Sequence, residues 1–245
     1  MNLDRIFLPV FLLITNVIFS QSFSSGIVTY SVKPISLINK KNTKDTSLST
    51  YFEDLDFRMD KLSKFIEYKL KMNEKESIFF LEKILDNEYK NRTSKFFRVG
   101  NIYNHISGKK IRQKDIYGST FLITSNVKSI KWNFLNETKK IGKYTCYKAT
   151  TKIKVVNALA TFERNVNAWY CPNITIPFGP MGYGGLPGLI LELTIDKQGV
   201  YSLKKIILYP NKGIVIKEPI KGKTVTEKEF NEIGIDIYER RKNGM

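Results

Sequence analysis

Few residues in this chain of 245 are of types that run chemistry on their own. There is one histidine, His105, and there are two cysteines, Cys146 and Cys171. A single imidazole excludes His-based triads and proton relays, and with two thiols it excludes most zinc sites. No CxxC pair is present, so a thiolate catalyst has no activating partner. Glu192 and Asp196 stand on the polar side of an alternating stretch. Paired carboxylates can hydrolyse a glycosidic bond, but carboxylates on a polar strand face are ordinarily solvated, and no base or metal cluster accompanies these two. The reading is a protein that is not an enzyme and uses no cofactor or metal.

The most unusual stretch is Gly179-Pro180-Met181-Gly182-Tyr183-Gly184-Gly185-Leu186-Pro187-Gly188-Leu189-Ile190. A glycine-rich loop can cradle phosphate, but neither a GK[ST] sequence nor a helix start follows this one. Leu186-Pro187-Gly188-Leu189 fits a type II turn, with proline presetting φ and Gly188 supplying positive φ. Valine at 188 would then be costly, and asparagine milder. Beyond the turn, Leu189, Leu191, Leu193 and Ile195 are expected on one face of a strand, with Glu192, Thr194 and Asp196 on the other.

The cysteines belong to two further strand-like runs, Tyr144–Val156 and Thr161–Cys171, joined by residues 157–160. If Cys146 faces Cys171, Lys148 faces Trp169 and Lys154 faces Glu163. That register pairs opposite charges and lays a lysine stem beside an aromatic ring. Directly opposed residues lie within disulfide reach, so one disulfide is expected, with two free buried thiols as the alternative.

The elements that hold these residues are mostly strands. Residues 26–33 alternate and are rich in β-branched side chains. Phe52, Leu55, Met59, Leu62 and Ile66 form an amphipathic helical stripe. After it the period returns to two. Strands are expected at 68–72, 77–81, 96–99, 102–107, 110–116, 120–124, 130–136 and 200–209, separated by glycine- and asparagine-containing turns. Thr226-Glu227-Lys228-Glu229 is a capping box that opens a terminal helix carrying Phe230, Ile233 and Ile237. The fold class is therefore mainly β (α+β): a strongly curved antiparallel sheet or half-barrel, with one early helix and one C-terminal helix.

Residues 1–20 combine a charged start with an apolar run interrupted by Pro9 and Asn16. They read as a signal peptide ahead of a single β-rich domain, 21–245, with an uncleaved anchor as the alternative. The export reading places the protein in the periplasm, at the outer membrane or outside the cell. The formal net charge of +17, with 40 Lys+Arg against 23 Asp+Glu, draws such a domain to anionic surfaces. Scattered lysines that merely solvate the surface are the plain alternative. In an exported protein the partner is an anionic lipid or an envelope protein rather than nucleic acid.

Gly185-Leu186-Pro187-Gly188-Leu189-Ile190 resembles the signature of the GLPGLI family, exported proteins of the Bacteroidetes lineage without an established activity. Lys131-Trp132, residues 141–150, Ala168-Trp169-Tyr170 and Ile176-Pro177 resemble that family too, whereas Cys171 departs from it. The order of elements is loosely similar to the lipoprotein-carrier half-barrels of the bacterial periplasm. What the resemblance implies is a location and a likely fold, not a reaction; the 16 Phe and 13 Tyr, the basic balance and the lack of a catalytic constellation point to a non-catalytic binding role. On that reading the concave face takes a lipid, a lipoprotein or an outer-membrane partner. A carbohydrate-binding module using Trp132, Trp169, Tyr170 and Tyr183 is the second reading, and a carboxylate hydrolase the third.

Overall fold

The computed structural model describes residues 24–36, 46–82, 92–116, 118–156 and 160–244. The signal-peptide reading over 1–20 lies outside them. The described chain is mainly β, with twelve strands in one open sheet and two α-helices.

Strands β1 (Ser25–Pro34), β2 (Glu67–Asn73), β3 (Glu76–Leu81), β4 (Asn101–His105), β5 (Lys109–Ile116) and β6 (Ser119–Asn126) make one limb. The other limb is β7 (Asn133–Ile141), β8 (Tyr144–Val156), β9 (Thr161–Cys171), β10 (Leu189–Ile195) and β11 (Gly199–Tyr209). The short β12 (Lys223–Thr226) completes the sheet. The order is β12-β6-β5-β4-β3-β2-β1-β11-β10-β9-β8-β7, so β1 joins the limbs by pairing with both β2 and β11. Every pairing is antiparallel except β12 on β6. That strand is the one the sequence reading did not find, because a four-residue parallel strand has no hairpin partner to announce it.

The sheet curves strongly. The Tyr183 ring stands 5.8 Å from Lys110 Nζ on β5 and 6.2 Å, centroid to centroid, from Trp132, which leads into β7. Those strands are nine places apart in the order. In a flat sheet that is about 43 Å at the usual inter-strand spacing.

The concavity of the central strands is filled rather than open. Val28 and Tyr30 on β1, Tyr68 and Leu70 on β2 and Phe79 on β3 pair across the sheet and are fully buried. Helix α1 (Thr46–Ser63) lays Met59 and Leu62 on them, as the helical stripe predicts, and Ile66 follows. Tyr68 and Phe79 stack at 5.1 Å, and the Tyr68 hydroxyl donates to the Phe97 carbonyl at 2.7 Å. Helix α2 (Glu227–Lys242) opens on the expected capping box. Glu229 N donates to Thr226 Oγ1, and Glu229 Oε2 accepts from Thr226 N at 2.7 Å. Its Phe230 and Ile233 cover Phe121, Ile123 and Val225.

Three local expectations are corrected. Residues 96–99 are not a strand: Arg92–Phe97 is a 3-10 helix, whose Phe97 carbonyl is held by Tyr68. Strand β7 begins at Asn133, because Trp132 is drawn instead to the signature loop. In β10 a bulge at Leu191 breaks the alternation. Leu189 pairs with Cys171 and Leu193 with Ala168, so the two leucines face opposite sides of the sheet.

Candidate anion-binding site

The signature loop folds back on the segment before it. Gly185 N donates to Pro177 O, Leu189 N to Ile174 O and Ile190 N to Phe178 O, each within 3.1 Å. Two long-range bonds pin it from opposite limbs. The Tyr30 hydroxyl donates to Ile190 O at 2.6 Å, and Trp132 Nε1 donates to Gly184 O at 3.0 Å. Gly188 has positive φ as expected, but the turn is tighter than type II. Gly188 N donates to Leu186 O at 2.8 Å, an i to i+2 bond across Pro187. Gly188 also passes so close to the Cys171 carbonyl that a side chain has no room.

The loop's tip, Pro180–Gly182, carries left-handed backbone at both Met181 (φ 58°) and Gly182 (φ 71°). For a methionine that conformation is strained. It sets Gly182 against Ile102 and Lys110, with Tyr183 over the Lys110 stem.

Beneath the tip, the core-facing side of β3, β4 and β5 turns polar. Ser77 pairs with Asn104, and Asn104 with Lys110, so the three form a row across adjacent strands. Ser77 and Asn104 are 0% and 1% exposed, yet Ser77 Oγ and Asn104 Oδ1 have no hydrogen-bond partner. Lys110, Arg112 and Lys114 alternate along β5 and so share that face. Burial lowers the Lys110 pKa to about 8 and lowers that of Lys114 as well. Arg112 Nη2 reaches Glu227 Oε2 at 3.1 Å beneath the Phe230 ring, while its buried Nε has no partner.

The row ends in a cavity of about 550 Å³ at the β5–β6 hairpin, lined by Lys95, Arg98, Lys114, Asp115, Ser119 and Thr120. Five cations thus run from Lys110 to the cavity mouth against two carboxylates, both engaged: Glu227 by Arg112 and Asp115 by Thr120 at 2.7 Å. Phe96 stands between Lys95 and Arg98 with 54% of its surface exposed. Desolvated cations with spare donors favour an anion.

Of the residues singled out from sequence, Tyr183 and the tip of the signature loop meet this site and the others fall elsewhere. Tyr170 and Tyr183 are buried, and Trp132 is bonded to the loop, so these three rings are packing elements, whereas a sugar platform needs an exposed ring face. Trp169 faces the opposite side of the sheet between Lys139 and Lys148, whose ammonium groups lie 4.5 and 5.7 Å from its ring. Glu192 accepts from Lys139 and Asp196 from Asn165, so the two carboxylates do not converge. Asp196 instead borders a polar groove of about 630 Å³ with Asn133, Thr150, Asn165 and Asn167.

The cysteine register is as expected. Lys148 pairs with Trp169 and Lys154 with Glu163; the ladder ends at Tyr147 opposite Tyr170, and the same register continued one step sets Cys146 opposite Cys171. The nearer ion pair of Glu163 is the diagonal Lys152, at 3.8 Å. Both cysteines are free, buried thiols here rather than a disulfide. Their mutual hydrogen bond raises the Cys146 pKa and lowers that of Cys171.

Sequence reasoning missed the β5 row. Its signal is visible in the alternation of Lys110, Arg112 and Lys114, but only the fold shows that this face of the strand points inward.

A family profile described as "Protein of unknown function (Porph_ging)" matches residues 157–192, which include the signature loop. No curated protein matches. The solved structures that resemble the chain include two of PNGF-II. In the P21 crystal form the TM-score is 0.50 with 14% identity, over 86% of this chain and 33% of that one. In the C2 form the TM-score is 0.49 with 14% identity, over 86% and 32%. The chain therefore spans about a third of the length of those structures, and at this identity the likeness extends to the fold alone.

Proposed function

We propose that this protein is an exported, non-catalytic envelope protein that binds anionic lipid headgroups through the basic cavity at the β5–β6 hairpin. The observation that carries the reading is Phe96. An aromatic side chain 54% exposed between two cations that line a cavity is the arrangement of an interfacial anchor beside a headgroup site. The net charge of +17 adds long-range attraction to an anionic surface, and the leader-like residues 1–20 support export. Among the described residues no helix is long and apolar enough to cross a membrane.

Vesicle co-sedimentation tests this. The protein should bind vesicles containing anionic lipid in preference to neutral ones, and added salt should weaken binding. Lys95→Glu with Arg98→Glu should abolish the preference, and Phe96→Ser should weaken binding without altering its salt dependence. Equal, salt-insensitive binding to both vesicle types would sink the reading. A carbohydrate partner is the second reading, favoured by the amide- and hydroxyl-lined groove at Asn133, Thr150, Asn165 and Asn167. Glycan-array binding lost in Asn167→Leu would select it.

A further inference from the structure

We infer that the inner end of the β5 row, where Lys110 stands beside Asn104 and Ser77, is a subsite for a single hydroxyl-bearing oxyanion, of which hydrogen phosphate is the simplest, roofed by the tip of the signature loop. The inference deepens the anion-binding reading and rests on it for the route of entry along Lys114 and Arg112.

Four observations converge. Asn104 Oδ1 and Ser77 Oγ are buried and lack hydrogen-bond partners. An orphaned buried polar atom costs free energy that an apolar residue of similar size would not. Next in the row is Lys110, whose ammonium has no carboxylate or carbonyl partner among the described residues and stands 5.8 Å from the Tyr183 ring centroid. Two positions along β5, Arg112 lies on the same face and its buried Nε has no partner. The roof above them, Met181-Gly182-Tyr183, is held in left-handed backbone, and Gly182 packs directly on Lys110.

The donor and acceptor inventory fixes the class of ligand. Lys110 Nζ, Arg112 Nε and the Ser77 hydroxyl are donors, so the ligand presents anionic oxygens. Asn104 Oδ1 is an acceptor, so a ligand that also carries an O–H satisfies every group in the row. Hydrogen phosphate has both, and a phosphomonoester headgroup retains the second proton in part near its pKa of about 6. Sulfate has no proton to offer. Glu227 already serves Arg112 Nη2 and leaves Nε available.

The test is calorimetric titration of the full chain with inorganic phosphate, alongside vesicles containing phosphatidic acid. Lys110→Met keeps the aliphatic stem and should lower phosphate affinity on the order of tenfold to a hundredfold, the worth of a charged hydrogen bond. Asn104→Leu should also weaken phosphate and bring its affinity down to that of sulfate, yet raise the melting temperature of the phosphate-free protein. A purely structural asparagine would not do the latter. Phosphate affinity unchanged in Lys110→Met, sulfate binding as tightly as phosphate, or Asn104→Leu melting lower would each overturn the subsite. The two sources separate cleanly. Vesicle binding without phosphate binding leaves the membrane reading standing and ends the subsite. Lys110-dependent phosphate binding without vesicle binding does the reverse.

Discussion

Gly188 and Cys171 meet backbone to backbone: a Cβ on Gly188 would overlap the Cys171 carbonyl and stand 2.9 Å from Pro172 Cα. Positive φ alone would tolerate asparagine, but this contact tolerates no side chain at all.

Gly188→Ala, Gly188→Asn and Gly188→Val should therefore all destabilise, by on the order of 2–4 kcal/mol, with asparagine gaining little from its tolerance of left-handed backbone. Equilibrium unfolding in urea gives the ranking. An asparagine variant close to wild type would show that the Cys171 carbonyl can move aside.

The Lys110 pKa, lowered by burial from 10.5 to about 8, fixes a pH window. Its neighbours are Arg112 on β5, Glu227 from α2 and the Tyr183 ring from the loop. Between pH 8 and 10.5 the unfolded chain holds the Lys110 proton and the folded chain does not, so stability rises with pH across that window. The penalty present in full below pH 8 is about 3 kcal/mol at 1.36 kcal/mol per pH unit. Subtracting the pH–stability profile of Lys110→Met from that of the wild type should leave this rise. A flat difference would mean that Lys110 is better solvated than its place under Gly182 implies.

Cys146 and Cys171 should form a disulfide in the exported protein without rearrangement, since the β8–β9 register, continued one step, sets them opposite each other. Non-reducing peptide mapping of protein taken from its native envelope should find the linked pair. In the chain-entropy model closing that loop adds about 3–4 kcal/mol. Two thiols that alkylate freely would place the protein in a reducing compartment.

Trp132→Phe keeps the ring beside Tyr183 but removes the Nε1 bond to Gly184 O. The cost should be about 1 kcal/mol, and the tip of the loop should loosen. Hydrogen exchange of the Gly185 and Leu189 amides, which bond to Pro177 and Ile174, reads the loosening. Unchanged protection would mean that the Tyr30 bond to Ile190 suffices to hold the loop.

Much of the architecture could be read from local pattern. The spans of β8 and β9 and their register follow from alternation and from the pairing of Lys148 with Trp169. The stripe through Met59 and Leu62 announces α1, and Thr226 with Glu229 announces the start of α2. Each rests on residues a few places apart or facing one another across a single hairpin, where side-chain periodicity is direct evidence of which face is buried.

The candidate site is of another kind. Ser77, Asn104 and Lys110 lie in three strands, and Met181 to Tyr183 come some seventy residues later, so no spacing links them. Their inward orientation depends on which way the sheet curls, and their isolation depends on a loop anchored by Tyr30 in one limb and Trp132 at the end of the other. The bulge at Leu191 and the parallel β12 are likewise settled by what packs against them. The sequence by itself determined the strands other than β12, the register of β8 on β9 and the need for glycine at 188. Only the closing of the two limbs around the signature loop decided that Ser77 and Asn104 would be buried with unpartnered oxygens and that Lys110 would stand half-buried beside them.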